Sequence, residues 1–142
     1  MIDNYDLSPS LEDYLEELYR LSLTRPAVRV SEISNKLNVS LPSVSKALRK
    51  LKLKGYINYQ RYGYIYLTEQ GDIVGKFLIE RNALLQNFLK LIGSDCNVSA
   101  EAEAMEHYLS KPTIFAIEQL VDFFNSHPKI YDEFKLKTAI KK

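Results

Sequence analysis

Cysteine occurs once in these 142 residues, as Cys96, which excludes an internal disulfide and any zinc site assembled from several cysteines. Its expected role is packing. Glycine and proline number five each, so the chain is neither collagen-like nor low-complexity. It also lacks a Gly/Ser linker, an internal repeat and a phosphate-cradling glycine loop, and nucleotide chemistry is not suggested. Long apolar runs are missing too. The longest uncharged stretch, Leu37 to Ser45, falls far below the roughly 20 residues needed to span a bilayer. The N-terminus has no basic-then-apolar signal pattern, so the expectation is a cytoplasmic protein with no membrane partner. The length suits one ordinary domain, or a small domain and an interlocked second one, and not a large multi-domain enzyme.

Acidic residues are absent from one long interval. After Glu32 none occurs until Glu69, while Lys36, Lys46, Arg49, Lys50, Lys52, Lys54 and Arg61 all lie between. The net charge of +1 conceals this segregation, and nucleic acid responds to a local field rather than to a sum. Acids gather instead at Asp3, Asp6, Glu12, Asp13, Glu16 and Glu17, and again at Asp95, Glu101, Glu103 and Glu106.

Periodicity within and around the basic interval gives it a shape. Leu11, Tyr14, Leu15, Leu18, Tyr19 and Leu21 recur at three- and four-residue steps, which predicts a helix from Ser10 to about Leu23 capped by Ser8 or Ser10. A short helix over about Ser31–Leu37, a turn at Asn38-Val39 and a third helix over about Leu41–Lys54, closed by Gly55, follow. Tyr56 to Leu67 is rich in β-branched and aromatic residues around Tyr62-Gly63, the pattern of a two-stranded hairpin. Helix, helix, turn, helix, hairpin is the order of a winged helix-turn-helix. Beyond it, Thr68 is placed to cap a long helix to about Ile92, ended by Gly93. Helices over about Ser99–Leu109 and Thr113–Phe124 are expected with a break at Lys111-Pro112, and a last short helix from Tyr131. The fold class is mainly α with a small β-hairpin wing.

In such a module the second helix of the pair enters the major groove and the wing lies along the backbone. The candidate DNA contacts are Ser40, Ser43, Ser45 and Lys46 on the first turns of the third helix, Arg49, Lys50 and Lys54 along it, and Arg61 beside Tyr62 at the wing tip. Most would meet phosphate, which positions the protein without reading sequence. Val44, Leu48 and Leu51 fall on the opposite side and are expected in the core, as are Ile33 and Leu37.

Glu103, Glu106 and His107 are spaced i, i+3, i+4, so two carboxylates and an imidazole share one helix face; Asp13 and Glu16 are likewise i, i+3. Acids at helical spacing are commonly just solvated. Together, however, the two clusters supply an oxygen-rich set with one imidazole, which suits Mn2+ or Fe2+ better than ions that prefer sulfur. Met105 is expected to point away from that face. His127, next to Pro128, has no acidic neighbour in sequence and reads as ordinary surface.

Three segments together resemble the diphtheria toxin repressor / manganese transport regulator (DtxR/MntR) family over roughly residues 8 to 125: Glu12-Asp13-Tyr14-Leu15-Glu16 on the first helix, Leu67-Thr68-Glu69-Gln70-Gly71 after the wing, and Glu103-Ala104-Met105-Glu106-His107-Tyr108-Leu109-Ser110. The resemblance implies a homodimeric repressor that binds a double-stranded operator and whose metal, bound between two domains, favours the DNA-binding form. It implies a winged helix-turn-helix domain over 1–70 and a helical dimerisation and metal-binding domain over 71–142, with the linking helix over about 69–92. Leu84, Leu85, Phe88, Ile117, Leu120 and Phe124 are the candidate dimer residues, some of which must be core. Position by position, the manganese branch implies ligands at Asp13, Glu16, Glu103, Glu106 and His107; the iron branch tends to carry Met and Cys at the positions of Asp13 and Glu103. The family's histidine on the linking helix aligns with Asn82, a weaker oxygen donor. Three outcomes are open: one metal position built on Glu16, Glu103, Glu106 and His107, ligation through the Asn82 oxygen, or weakened metal control. Other functions are a regulator of this architecture with no metal response or with an organic effector, and a metal-dependent hydrolase. The latter has no Ser/His/Asp set or separate general base in the sequence and leaves the basic interval unexplained.

Overall fold

A computed structural model describes residues 5–59 and 63–138. The chain divides into two compact units, Met1–Ile79 and Glu80–Lys142. In the first, α1 (Pro9–Ser22) starts where the Ser8 hydroxyl accepts the Leu11 amide, with Pro9 in the first turn. It buries Leu11, Tyr14, Leu15 and Leu18. Strand β1 (Val28–Arg29) leads directly into α2 (Val30–Leu37), whose Glu32 carboxylate accepts the Arg29 amide at 3.0 Å. Asn38 ends α2 in the left-handed region, φ 54°, and the Val39 amide returns to the Ser34 carbonyl. Ser40 caps α3 (Leu41–Leu53), on which Val44, Ala47, Leu48 and Leu51 are buried at helical spacing while Lys46, Arg49 and Lys50 are exposed.

Strands β2 (Ile57–Tyr59) and β3 (Tyr64–Leu67) form the wing and pair antiparallel, Ile57 opposite Leu67 and Tyr59 opposite Ile65. β3 also pairs with β1, Val28 opposite Ile65, so the expected two-stranded hairpin is a three-stranded sheet of order β1-β3-β2. A two-residue strand is too short to show period-two alternation, which is why only tertiary pairing reveals it. Thr68 joins wing to helix: its hydroxyl accepts the Gly71 amide at 3.0 Å and donates to the Gly55 carbonyl at 2.7 Å. The long α4 (Glu69–Leu91) follows, giving Val74 and Leu78 to the first core and Leu85 and Leu89 to the second.

In the second unit Gly93, at φ 74°, ends α4, and Asn97 caps α5 (Val98–Glu106). α5 is shorter than its periodicity suggested, and His107 is its C-cap. Lys111-Pro112 does not break a helix but begins one. Ser110 accepts the Thr113 amide and α6 (Lys111–Ser126) starts with Pro in its first turn, where a missing amide costs nothing. α7 (Pro128–Thr138) packs back on α6 through Phe124, Tyr131 and Phe134, and the Tyr131 hydroxyl donates to the Leu91 carbonyl at 2.8 Å. Ala102 and Ile114 join Leu85 and Leu89 in this core, with Met105 at its margin. Of the candidate dimer residues, Leu85 is core, Leu84, Phe88 and Ile117 pack at its edge, Phe124 joins the aromatic cluster, and Leu120 is 41% exposed together with Phe115 and Phe123 on α6. Among the described residues no helix is long and apolar enough to cross a membrane.

Candidate DNA interface and metal centre

The basic interval forms a continuous exposed face on α3. Because Val44, Leu48 and Leu51 are sunk into the core, Lys46, Arg49 and Lys50 project from the other side of the same helix. The hydroxyls at its start have structural work as well. Ser40 accepts the Ser43 amide at 3.3 Å and donates to the Ser43 hydroxyl at 2.9 Å, which stiffens the end of the helix that a major groove would receive; Ser45 is half-buried. Lys54 is engaged with Asp6 at 3.0 Å. Arg61 and Tyr62 lie outside the described residues. Arg29, which precedes the acid-free interval, was not singled out from sequence. It stands on β1 with its guanidinium 2.6 Å from the Tyr64 hydroxyl and over that ring, adding an exposed cation to the wing's sheet.

The acids of α1 are less solvated than their spacing suggests. Glu12, Glu16 and Glu17 are all buried, and Arg20, one turn on, pairs with Glu16 at 2.7 Å and Glu17 at 3.8 Å. Asp13 is half-buried. In the second unit Glu103 is exposed, His107 half-buried and Glu106 only 2% exposed. Burial pushes the Glu106 carboxyl above the ordinary carboxylate range, against the opposing pull of the Arg81 and His107 charges and of hydrogen bonds from Asn82 and Arg81. Arg81 Nη2 lies 3.4 Å from Glu106 Oε2, and Asn82 Nδ2 donates to Oε1 at 3.3 Å. Gln86 in turn donates to Asn82 Oδ1 at 2.7 Å.

The donors fit a hard divalent ion in kind: carboxylates with one imidazole, and in Glu106 a desolvated carboxylate that already holds a cationic group. Among the described residues no three His, Cys, Asp or Glu side chains are gathered as a metal would require. Sequence reasoning missed Arg81. The signal was present, because Val74, Leu78, Leu85 and Leu89 set a buried stripe on α4 and residue 81 falls within it. A charged residue in such a stripe needs a buried partner.

A helix-turn-helix with a β-wing and an exposed basic second helix, followed by a helical unit bearing a buried carboxylate centre, defines a winged-helix DNA-binding regulator. Residues 6–65 match the model of the iron dependent repressor N-terminal DNA binding domain, and residues 68–135 that of the iron dependent repressor metal binding and dimerisation domain. The chain belongs to this family of metal-dependent transcriptional regulators. It is 39% identical over 135 residues to the HTH-type transcriptional regulator MntR of Listeria welshimeri, covering 94% of this chain and 95% of that protein. The MntR of Shouchella clausii is 37% identical over 129 residues, 90% of each chain. Among solved structures it is similar to the manganese regulator SloR (TM-score 0.69, 28% identity) and the metal-dependent transcriptional regulator MtsR (TM-score 0.72, 29% identity). Each similarity covers 82% of this chain, which spans 55% of the length of either structure.

Proposed function

We propose that this chain is a Mn2+-responsive repressor of metal-uptake genes, cytoplasmic and without enzymatic activity, which binds a palindromic operator as a homodimer; Fe2+ is the other ion its donors suit. The observation that carries the metal response is Glu106, a carboxylate 2% exposed and held by a cation, on a chain whose relatives include manganese regulators. In this reading residues 1–70 bind DNA and 71–142 bind metal and dimerise. Asp13, Glu16, Glu103, Glu106 and His107 hold the ion, and Asn82 stands beside Glu106 as an additional oxygen donor only if its amide turns over. The bound ion supplies positive charge against carboxylates that otherwise repel one another. Lys46, Arg49, Lys50 and Lys54, with Arg61, neutralise phosphates, while the Ser40, Ser43 and Ser45 end of α3 approaches base edges. Where metal favours the operator-binding form, linkage requires metal and operator binding to strengthen each other reciprocally.

A second reading, a DNA-binding regulator with weakened metal control, is favoured by one feature: both oxygens of Glu106 already accept from Arg81 and Asn82. Selection of duplexes from a random pool, once with Mn2+ and once with chelator, separates the two. Enrichment of a palindrome only with Mn2+ supports the metal-responsive repressor. Equal enrichment in both conditions supports the second reading, and none in either refutes operator binding.

A further inference from the structure

The centre around Glu106 has the form of a relay: Gln86 donates to Asn82, Asn82 donates to Glu106, and Arg81 closes on the other carboxylate oxygen. Three consequences follow from the chemistry of these groups. Gln86 takes up the Asn82 carbonyl oxygen, so the Asn82 amide presents its NH2 group and not its oxygen to Glu106. Neither Asn82 nor Arg81 therefore offers a lone pair where Glu106 sits. Arg81, with a side chain 5% exposed, carries a permanent charge that cannot be shed by deprotonation. A divalent ion approaching Glu106 meets a guanidinium already there, and two cations on one buried carboxylate repel with little solvent to screen them.

We infer that Arg81 is an internal competitor for the metal. Its guanidinium neutralises Glu106 in the metal-free chain and gives way when Glu106 ligates, so Arg81 sets the metal concentration at which the protein responds. Asn82 and Gln86 support the same state by saturating the second carboxylate oxygen and holding the amide in its donating orientation. Resting on the metal-responsive reading above, this inference adds to it a residue outside the proposed ligand set. Arg81 acts through Glu106 and is a positioning residue.

The test is a Mn2+ titration of the full-length chain followed by the electron paramagnetic resonance signal of free aqueous Mn2+, comparing wild type, Arg81→Met and Arg81→Lys. Arg81→Met, similar in length and uncharged, is expected to bind Mn2+ about tenfold more tightly, the scale on which outer partners of metal ligands act. Arg81→Lys, which keeps the charge, is expected to stay within about threefold of wild type. If wild type binds Mn2+ and Arg81→Met binds equally or less tightly, the competitor role is overturned while the metal response stands. Absence of Mn2+ binding by wild type overturns both. A second measurement needs no variant. In wild type, the Arg81 Nη–H groups, one of which faces Glu106, are expected to exchange slowly with solvent before metal is added and rapidly once diamagnetic Cd2+ saturates the protein. Unchanged exchange at saturating Cd2+ overturns the inference even if Arg81→Met fails to fold.

Discussion

Replacing Gly71 by Ala probes the joint between the wing and α4. A Cβ at this position would lie 1.9 Å from the Tyr56 carbonyl oxygen, 2.9 Å from its carbonyl carbon and 3.3 Å from Leu67 Cδ2. The nearest obstacle is backbone and it is tied down: Tyr56 O accepts the Thr68 amide at 3.1 Å, and the Tyr56 amide donates to Leu51 O at 3.0 Å. Relief to ordinary contact requires the first turn of α4 to move from the wing by about 1.5 Å. That displacement sacrifices the Thr68 amide bond and the Thr68–Gly55 hydroxyl bond, about 1 kcal/mol each. Overpacking adds about 1–3 kcal/mol. Alanine's better helix propensity returns about 1 kcal/mol, leaving a net loss of about 2–4 kcal/mol. Against a total stability of roughly 5–15 kcal/mol this is a large fraction. Urea unfolding followed by circular dichroism measures it, with Gly55→Ala as the control. Gly55 has φ +86° but nothing within 4 Å, so its replacement should cost only about 1–2 kcal/mol of backbone strain. If Gly71→Ala leaves stability within about 0.5 kcal/mol of wild type, or raises it as a solvent-facing helical glycine would, the close-approach argument is wrong.

Three further outcomes follow from the same residues. Asn82→His replaces an amide that donates to Glu106 with an imidazole able to ligate, and should tighten Mn2+ binding by about tenfold or add a second site; an unchanged calorimetric isotherm would count against Asn82 as the departure that matters. Arg49→Ala removes an exposed cation from α3 and should weaken operator binding uniformly across sequences. It should also lower the slope of log affinity against log salt by about 0.9, and an unaltered slope would exclude a phosphate contact. Leu120→Glu puts a charge on a residue 41% exposed beside Phe123 on α6; sedimentation should find the dimer dissociated and the fold retained, and an intact dimer would move the interface elsewhere.

The helices of this chain are local affairs, and their identity is written locally. Ser8, Ser40, Asn97 and Ser110 cap them, Asn38, Gly55 and Gly93 end them, and the apolar residues between recur with the helical period. The same periodicity put Val44, Leu48 and Leu51 inward on α3 and left its cations outside, so the exposed basic face was legible in the sequence. A proline at a helix boundary is ambiguous by itself. Pro112 read as a break, and the Ser110 cap shows that it opens α6. The Leu67-Thr68-Glu69-Gln70-Gly71 element was legible as a pattern. Its reason appears only when the Tyr56 carbonyl is brought against Gly71 and the Gly55 carbonyl against Thr68.

Sequence alone determined the order of the helices and the hairpin, the basic face of α3 and the carboxylate-and-histidine spacing at the end of α5, because each depends on residues within a few positions of one another. Tertiary structure decided the rest. β1 exists through pairing with a strand more than thirty residues later. The burial of Glu12, Glu16 and Glu17 on α1 is set by packing rather than by the charge of the side chains. The closure of Arg81 on Glu106 spans 25 positions. Spacing can say that a carboxylate shares a helix face with a histidine, but which cation stands beside it depends on which helix packs there.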